Sequence, residues 1–340
     1  MSHSAPSASA SNATPLKYLF PGWYAVVMGL AGLSLAWQRA VPVMGEAASA
    51  TASAVALAAA AVFVALTIAA VLRGHRHPGA WAEDFKHPVR HTFVATLPVA
   101  LILLTTCAVA AGLHGLLVET LWWVASLTQL LVTVWVLSRW WRGNQGGGLQ
   151  WASVTPALFI PIVGNVLVPL AGVPLGQSEW AAAQFGIGLL FWPVVTALLV
   201  VRIAVQGMWP ERLLPASFIF IAPPAAVGLS ALQFGASPLV GWGLWGMALF
   251  SLLWAAPLTR RIAKQPFGLA HWGMSFPLAA FAALTLRLAP SGPPSLVGIA
   301  LLAMTSLLIA ALLLASVRGL RDGRLLAAEP VAAIAPISAA

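Results

Sequence analysis

The sequence predicts an all-α integral membrane protein: ten transmembrane helices paired as five helical hairpins, with an inner ring of five kinked helices around a central pore. Three observations predict it. Hydrophobic side chains make up 60% of the 340 residues and charged ones 7%, with a mean hydropathy of +0.91, so too few polar residues exist to cover a globule in water. Apolar stretches of about 20 residues, the length that crosses a hydrocarbon layer, follow one another with short breaks. Finally, central prolines interrupt four of the five odd-numbered stretches and only one even-numbered one. Each stretch is expected to be a helix, because a segment in lipid must satisfy its backbone groups internally.

Residues 1–17 are Ser/Ala-rich and lack the basic start of a signal peptide, so they are expected to form a disordered cytoplasmic tail. The first span, 21–43, has no central proline, but Gly29 and Gly32 could provide the same weakness. The second, 52–73, is uninterrupted, and Pro98 breaks the third, 91–112. The third span also holds Cys107, whose solitude excludes an internal disulfide framework. Trp122 and Trp123 lie near one end of the fourth span, 115–138, and Trp140 and Trp141 near the other; with Trp151 and Trp180 they are expected at headgroup level. Pro156 and Pro161 interrupt the fifth span, 152–173, and the sixth, 180–204, is the one even span with an interior proline, Pro193. Pro223 and Pro224 break the seventh, 214–234, whereas the eighth, 239–259, and the tenth, 295–317, are uninterrupted. In the ninth, 268–288, Pro277 removes a backbone donor and presses on the carbonyl of Gly273, so the helix must bend or open there, with Phe276 at the bend.

The breaks recur at the length of a helical hairpin. Broken helices are tolerated at membrane depth where their carbonyls face protein or a water-filled cavity, which puts the odd spans inside and the even ones outside. Small residues at the breaks, including Gly29, Gly32, Gly164, Gly228 and Ala279, either keep a lumen open or let helices approach closely. Residues 18–317 form the membrane domain on this reading and 318–340 a cytoplasmic C-terminal tail.

Of the 17 Lys and Arg residues, 15 fall on one side of this arrangement, which places both termini in the cytoplasm. The formal charge of +9 therefore reports membrane orientation, and no nucleic-acid partner is expected. The two basic residues left over, Arg39 and Arg287, end the first and ninth spans on the other side; they either attract anions to a pore mouth or snorkel to the interface. No Asp, Glu or Lys lies near the centre of an odd span, which favours passive conduction over a proton-coupled carrier.

His75, His77, His87 and His91, near Glu83 and Asp84, could hold a metal, but they lack the paired spacing of a structural site, so no metal or cofactor is expected. With no Gly-rich phosphate loop, no Ser/His/Asp set and no carboxylate pair on one helix face, no enzymatic activity is expected either.

Several runs then carry a family resemblance. They are Leu19-Phe20-Pro21-Gly22-Trp23, Met28-Gly29-Leu30-Ala31-Gly32-Leu33, His87-Pro88-Val89-Arg90, Thr155-Pro156-Ala157, Pro161-Ile162-Val163-Gly164, Ala222-Pro223-Pro224 and Ser275-Phe276-Pro277-Leu278. In their order along the spans they resemble the TehA-like family of tellurite-resistance proteins and C4-dicarboxylate transporters, related to plant slow-type (SLAC) anion channels. That resemblance implies a homotrimer in a bacterial inner membrane, each subunit with its own pore lined by five inner helices. It also implies that Phe276 is a gate passing small anions such as chloride or nitrate. On the residues alone Phe276 could equally be core packing. The alternative function is secondary transport, either exporting an oxyanion (tellurite, sulfite) or moving C4-dicarboxylates.

Overall fold

The computed structural model describes residues 15–143 and 148–327. Among the described residues every regular element is helical. Eight helices among the described residues are long and apolar enough to cross a membrane: 46–76, 90–110, 116–142, 178–206, 211–233, 238–262, 269–288 and 293–321. A shorter apolar run covers 156–172, and the expected first span is present as the helix Ala25–Arg39. The molecule is an all-helical, multi-pass membrane protein. Residues 1–14 and 328–340, most of the two expected tails, lie outside the described residues.

We label the α-helical parts α1 (Ala25–Arg39), α2 (Glu46–Arg76), α3 (Thr96–Ala110), α4 (Leu116–Ser138), α5 (Phe159–Leu167), α6 (Ser178–Gln206), α7 (Ala222–Gln233), α8 (Pro238–Ala255), α9 (Ser275–Leu288) and α10 (Pro293–Arg321). Every odd-numbered helix is entered through a 3-10 segment, namely Pro21–Tyr24, Arg90–Ala95, Pro156–Leu158, Glu211–Ile221 and Leu269–Met274. The prolines explain where the winding changes. Pro98, Pro161, Pro224 and Pro277 are each the third residue of their α-helix, and Pro223 is the second of α7. A proline there cannot bond the carbonyl four residues back and would collide with it; 3-10 winding ahead of the proline asks for no such bond. The expected bends therefore take the form of a change in helix type. Helix α1 differs, running without interruption through Gly29 and Gly32. Pro193 likewise leaves α6 continuous.

Each odd helix packs against the even helix that follows it, and the odd helices touch in a circuit, α1 to α3 to α5 to α7 to α9 and back to α1. Burial follows this division. In the most apolar windows of 211–233 and 269–288, 83% of the residues are buried, against 11% in 46–76 and 17% in 238–262. Around α5, backbone carbonyls collect side-chain donors: that of Pro161 accepts from Thr133 Oγ1 (2.6 Å), Gln129 Nε2 (2.7 Å) and Asn165 Nδ2 (2.8 Å). Trp122 Nε1 donates to the Val168 carbonyl at 3.1 Å, and its ring is fully buried above Gly172. Trp122 thus packs within the protein, bonding a carbonyl freed beside Pro169, and does not face lipid. Trp141, by contrast, is 91% exposed.

On the basic side, the loop after α2 folds into a nine-residue helix, Pro78–Lys86. Asp84, fully buried, accepts from Arg73 (2.7 Å) and Arg90 (3.5 Å), and Arg73 Nε donates to the Lys17 carbonyl at 2.9 Å. The four histidines of this region do not gather: His87 Nδ1 accepts from the backbone N–H groups of Val89 and Arg90, and His91 Nδ1 lies 3.0 Å from the His87 carbonyl. Among the described residues no three His, Cys, Asp or Glu side chains come together as a metal site.

Candidate functional site

A cavity of about 610 Å³ is lined by all five inner segments. Met28 contributes from α1, Val99 from α3, Gly164 from α5, Ala222 from α7 and Phe276 from α9. The 3-10 halves of these segments, the loops ahead of them and the first turns of the α-helices share its wall with the end of α6, and on α5 the wall extends as far as Leu167. Phe276, second residue of α9, is 7% exposed and belongs to this end of the cavity together with Pro277.

The ring of Phe276 is held from the α1 side. A Cβ on Gly32 would lie 2.9 Å from Phe276 Cδ2 and 3.2 Å from Ala279 Cβ, and a Cβ on Gly29 would lie 2.8 Å from Ser275 Cβ. The missing side chains of Gly29 and Gly32 thus let α9 press against α1 at the position of the phenylalanine. Gly228 in the same way accommodates Leu284. Gly164 borders the cavity, whereas Pro98, Pro161, Pro223 and Pro224 are buried in the helix packing behind its wall.

Arg39 and Arg287 do not reach this cavity. They lie at the far ends of α1 and α9, near enough for each charge to be felt by the other. Among the described residues no carboxylate forms an ion pair with either.

Sequence reasoning missed the residues that set the cavity's charge. Arg90, Arg202, Arg212 and Arg324 all border it, and among the described residues no Asp or Glu does. Read along the chain they are ordinary orientation charges, each at or just beyond the end of a different span; no spacing links them, and only the fold brings them together. Arg90 and Arg324 are paired with Asp84 and Asp322, whose carboxylates stand outside the wall. Arg202, at the end of α6, is 7% exposed and pairs with no carboxylate among the described residues. Its Nε donates to the Trp151 carbonyl at 3.3 Å, its Nη1 to the Gly207 carbonyl, and its guanidinium lies 5.8 Å from the Trp209 ring centre. Positive charges around a space with apolar walls raise the local concentration of anions and depress that of cations.

A basic cavity enclosed by buried helices, with an aromatic ring at its inner end, defines a class: membrane proteins that move anions across a bilayer. A family model described as voltage-dependent anion channel matches residues 18–318, and the chain belongs to that family. Among its relatives is a tellurite resistance protein TehA homolog of Haemophilus influenzae, 23% identical over 265 residues that cover 77% of this chain and 78% of the relative. The S-type anion channel SLAH2 of Arabidopsis thaliana is 27% identical over 206 residues, 60% of this chain but 39% of that longer protein. An uncharacterised transporter of Methanocaldococcus jannaschii is 24% identical over 295 residues, 79% of this chain and 83% of the relative. The TehA-like and slow-type-channel resemblance seen in the short motifs therefore holds over most of the chain.

Proposed function

We propose that this protein is an anion channel of a bacterial inner membrane, passing small monovalent anions such as chloride and nitrate through a pore within each subunit. The observation that carries this reading is the cavity built by all five inner segments and ending at Phe276, bordered by four arginines and, among the described residues, by no carboxylate. On this reading all ten labelled helices cross the bilayer as five hairpins, the circuit of odd helices encloses the pore, and residues 18–317 are the conducting domain. Both termini are cytoplasmic, so the cavity is the cytoplasmic vestibule, with Arg39 and Arg287 at the outer mouth. Subunits assemble as a homotrimer. No enzymatic step is assigned to the cavity.

Phe276 is the gate. Its ring closes the path where α9 changes from 3-10 to α winding, and a rotation opposed by about 1 to 3 kcal/mol of packing strain opens it. Replacing Phe276 by Ala is expected to raise chloride and nitrate currents well above those of the wild type in planar bilayers or oocytes. Unchanged currents in a folded Phe276→Ala protein would remove the gate assignment.

A second reading, favoured by the transporter relative, is a secondary carrier that exports an oxyanion such as tellurite or sulfite or moves a C4-dicarboxylate. It requires saturable flux coupled to a proton gradient, whereas a channel shows conductance that reverses at the anion's equilibrium potential. The absence of Asp and Glu from the middles of the odd helices weighs against the coupled carrier.

A further inference from the structure

We infer that Arg202 is a binding site for a small oxyanion in the vestibule and gives the pathway a preference for nitrate over chloride. The inference rests on the anion-pathway reading and adds the residue that discriminates among anions.

A guanidinium has five N–H donors in a planar fork. Two of those of Arg202 are used, by the carbonyls of Trp151 and Gly207, which leaves three without a partner among the described residues, both hydrogens of Nη2 among them. A buried cation in this state is unusual, since buried charges are ordinarily paired or fully hydrogen-bonded. The site is also built. Two carbonyls fix the guanidinium from different segments, Trp209 lies alongside it, and the residue borders an open cavity whose wall, among the described residues, holds no carboxylate. What is missing is a negative partner, and the cavity is where one can arrive.

Geometry selects the partner's class. Adjacent N–H groups of a guanidinium match two oxygens of a planar oxyanion, forming parallel charge-assisted hydrogen bonds, whereas a spherical halide offers a single acceptor. Nitrate carries one charge and three coplanar oxygens, so it can take two of the unspent donors without a second positive group. Thr155, which also borders the cavity and is 3% exposed, has a hydroxyl with no hydrogen-bond partner, a further polar group left over in the same wall.

The test is calorimetric titration of sodium nitrate and sodium chloride into the full-length protein in lipid nanodiscs. Wild type should bind nitrate about tenfold tighter than chloride, the worth of one further charge-assisted hydrogen bond. Arg202→Lys, which keeps the charge and loses the fork, should bring the two affinities to near parity; Arg202→Gln should weaken both. In a Phe276→Ala background, Arg202→Lys should lower the nitrate-to-chloride permeability ratio in the same direction. An unchanged ratio of affinities in a folded Arg202→Lys protein would overturn the inference. Should both variants fail to fold, wild type binding nitrate no tighter than chloride overturns it alone. The currents of Phe276→Ala judge the channel reading independently, because binding is measured without conduction.

Discussion

At the scale of single residues, the close approach of α1 to α9 depends on two hydrogens. A methyl group on Gly29 would meet both the Oγ and the Cβ of Ser275, which is itself fully buried and donates to the Trp272 carbonyl. Gly29→Ala is therefore expected to destabilise the protein by about 1 to 3 kcal/mol through overpacking, seen as a lower melting temperature in detergent, and Ser275→Gly in the same chain should restore much of the loss. Phe276 was legible in the sequence because a proline follows it and the surrounding run matches a family. Gly29 and Gly32 were legible as special positions, but not as the seat for Ser275 and Phe276, since nothing in a run of small residues names the helix that will lie on it. Arg202 was not legible at all: an arginine at a span end looks the same whether it faces water, lipid or a cavity.

Elements were easier to read than their winding. The clash of a proline with the carbonyl four residues back can be relieved by a bend or by tighter winding ahead of it, and the sequence does not say which. The structure uses the second at Pro98, Pro161, Pro224 and Pro277. Helix Pro78–Lys86, read along the chain as a histidine-rich loop, is instead organised by Asp84 between Arg73 and Arg90. With Arg73 at 2% exposure and Asp84 at zero, Asp84→Asn leaves a buried guanidinium without its anion. The expected loss is about 3 to 5 kcal/mol, measured as a fall in thermal stability, with Lys17 and the start of the chain loosened at the same time.

For the whole molecule, alternation of buried and exposed helices was foreseeable from where the prolines fall, and the contact circuit of the odd helices agrees with it. The cavity lies within one chain, so on the proposed reading conduction does not require neighbours. The proposed homotrimer is checked by light scattering of the solubilised protein, which should give a protein mass near three times 35.4 kDa; a single-chain mass would discard the trimer and leave the pore standing. Placing all five 3-10 segments at the same end of their helices has a mechanical consequence. A 3-10 turn advances about 2.0 Å and 120° per residue, and an α-turn about 1.5 Å and 100°. Rewinding the six residues Leu269–Met274 as α would shorten that stretch by about 3 Å and twist Phe276 by about 120° relative to the loop before it. The segment is a screw thread: if Phe276 is the proposed gate, a pull on the loop before Leu269 becomes a turn of the stopper.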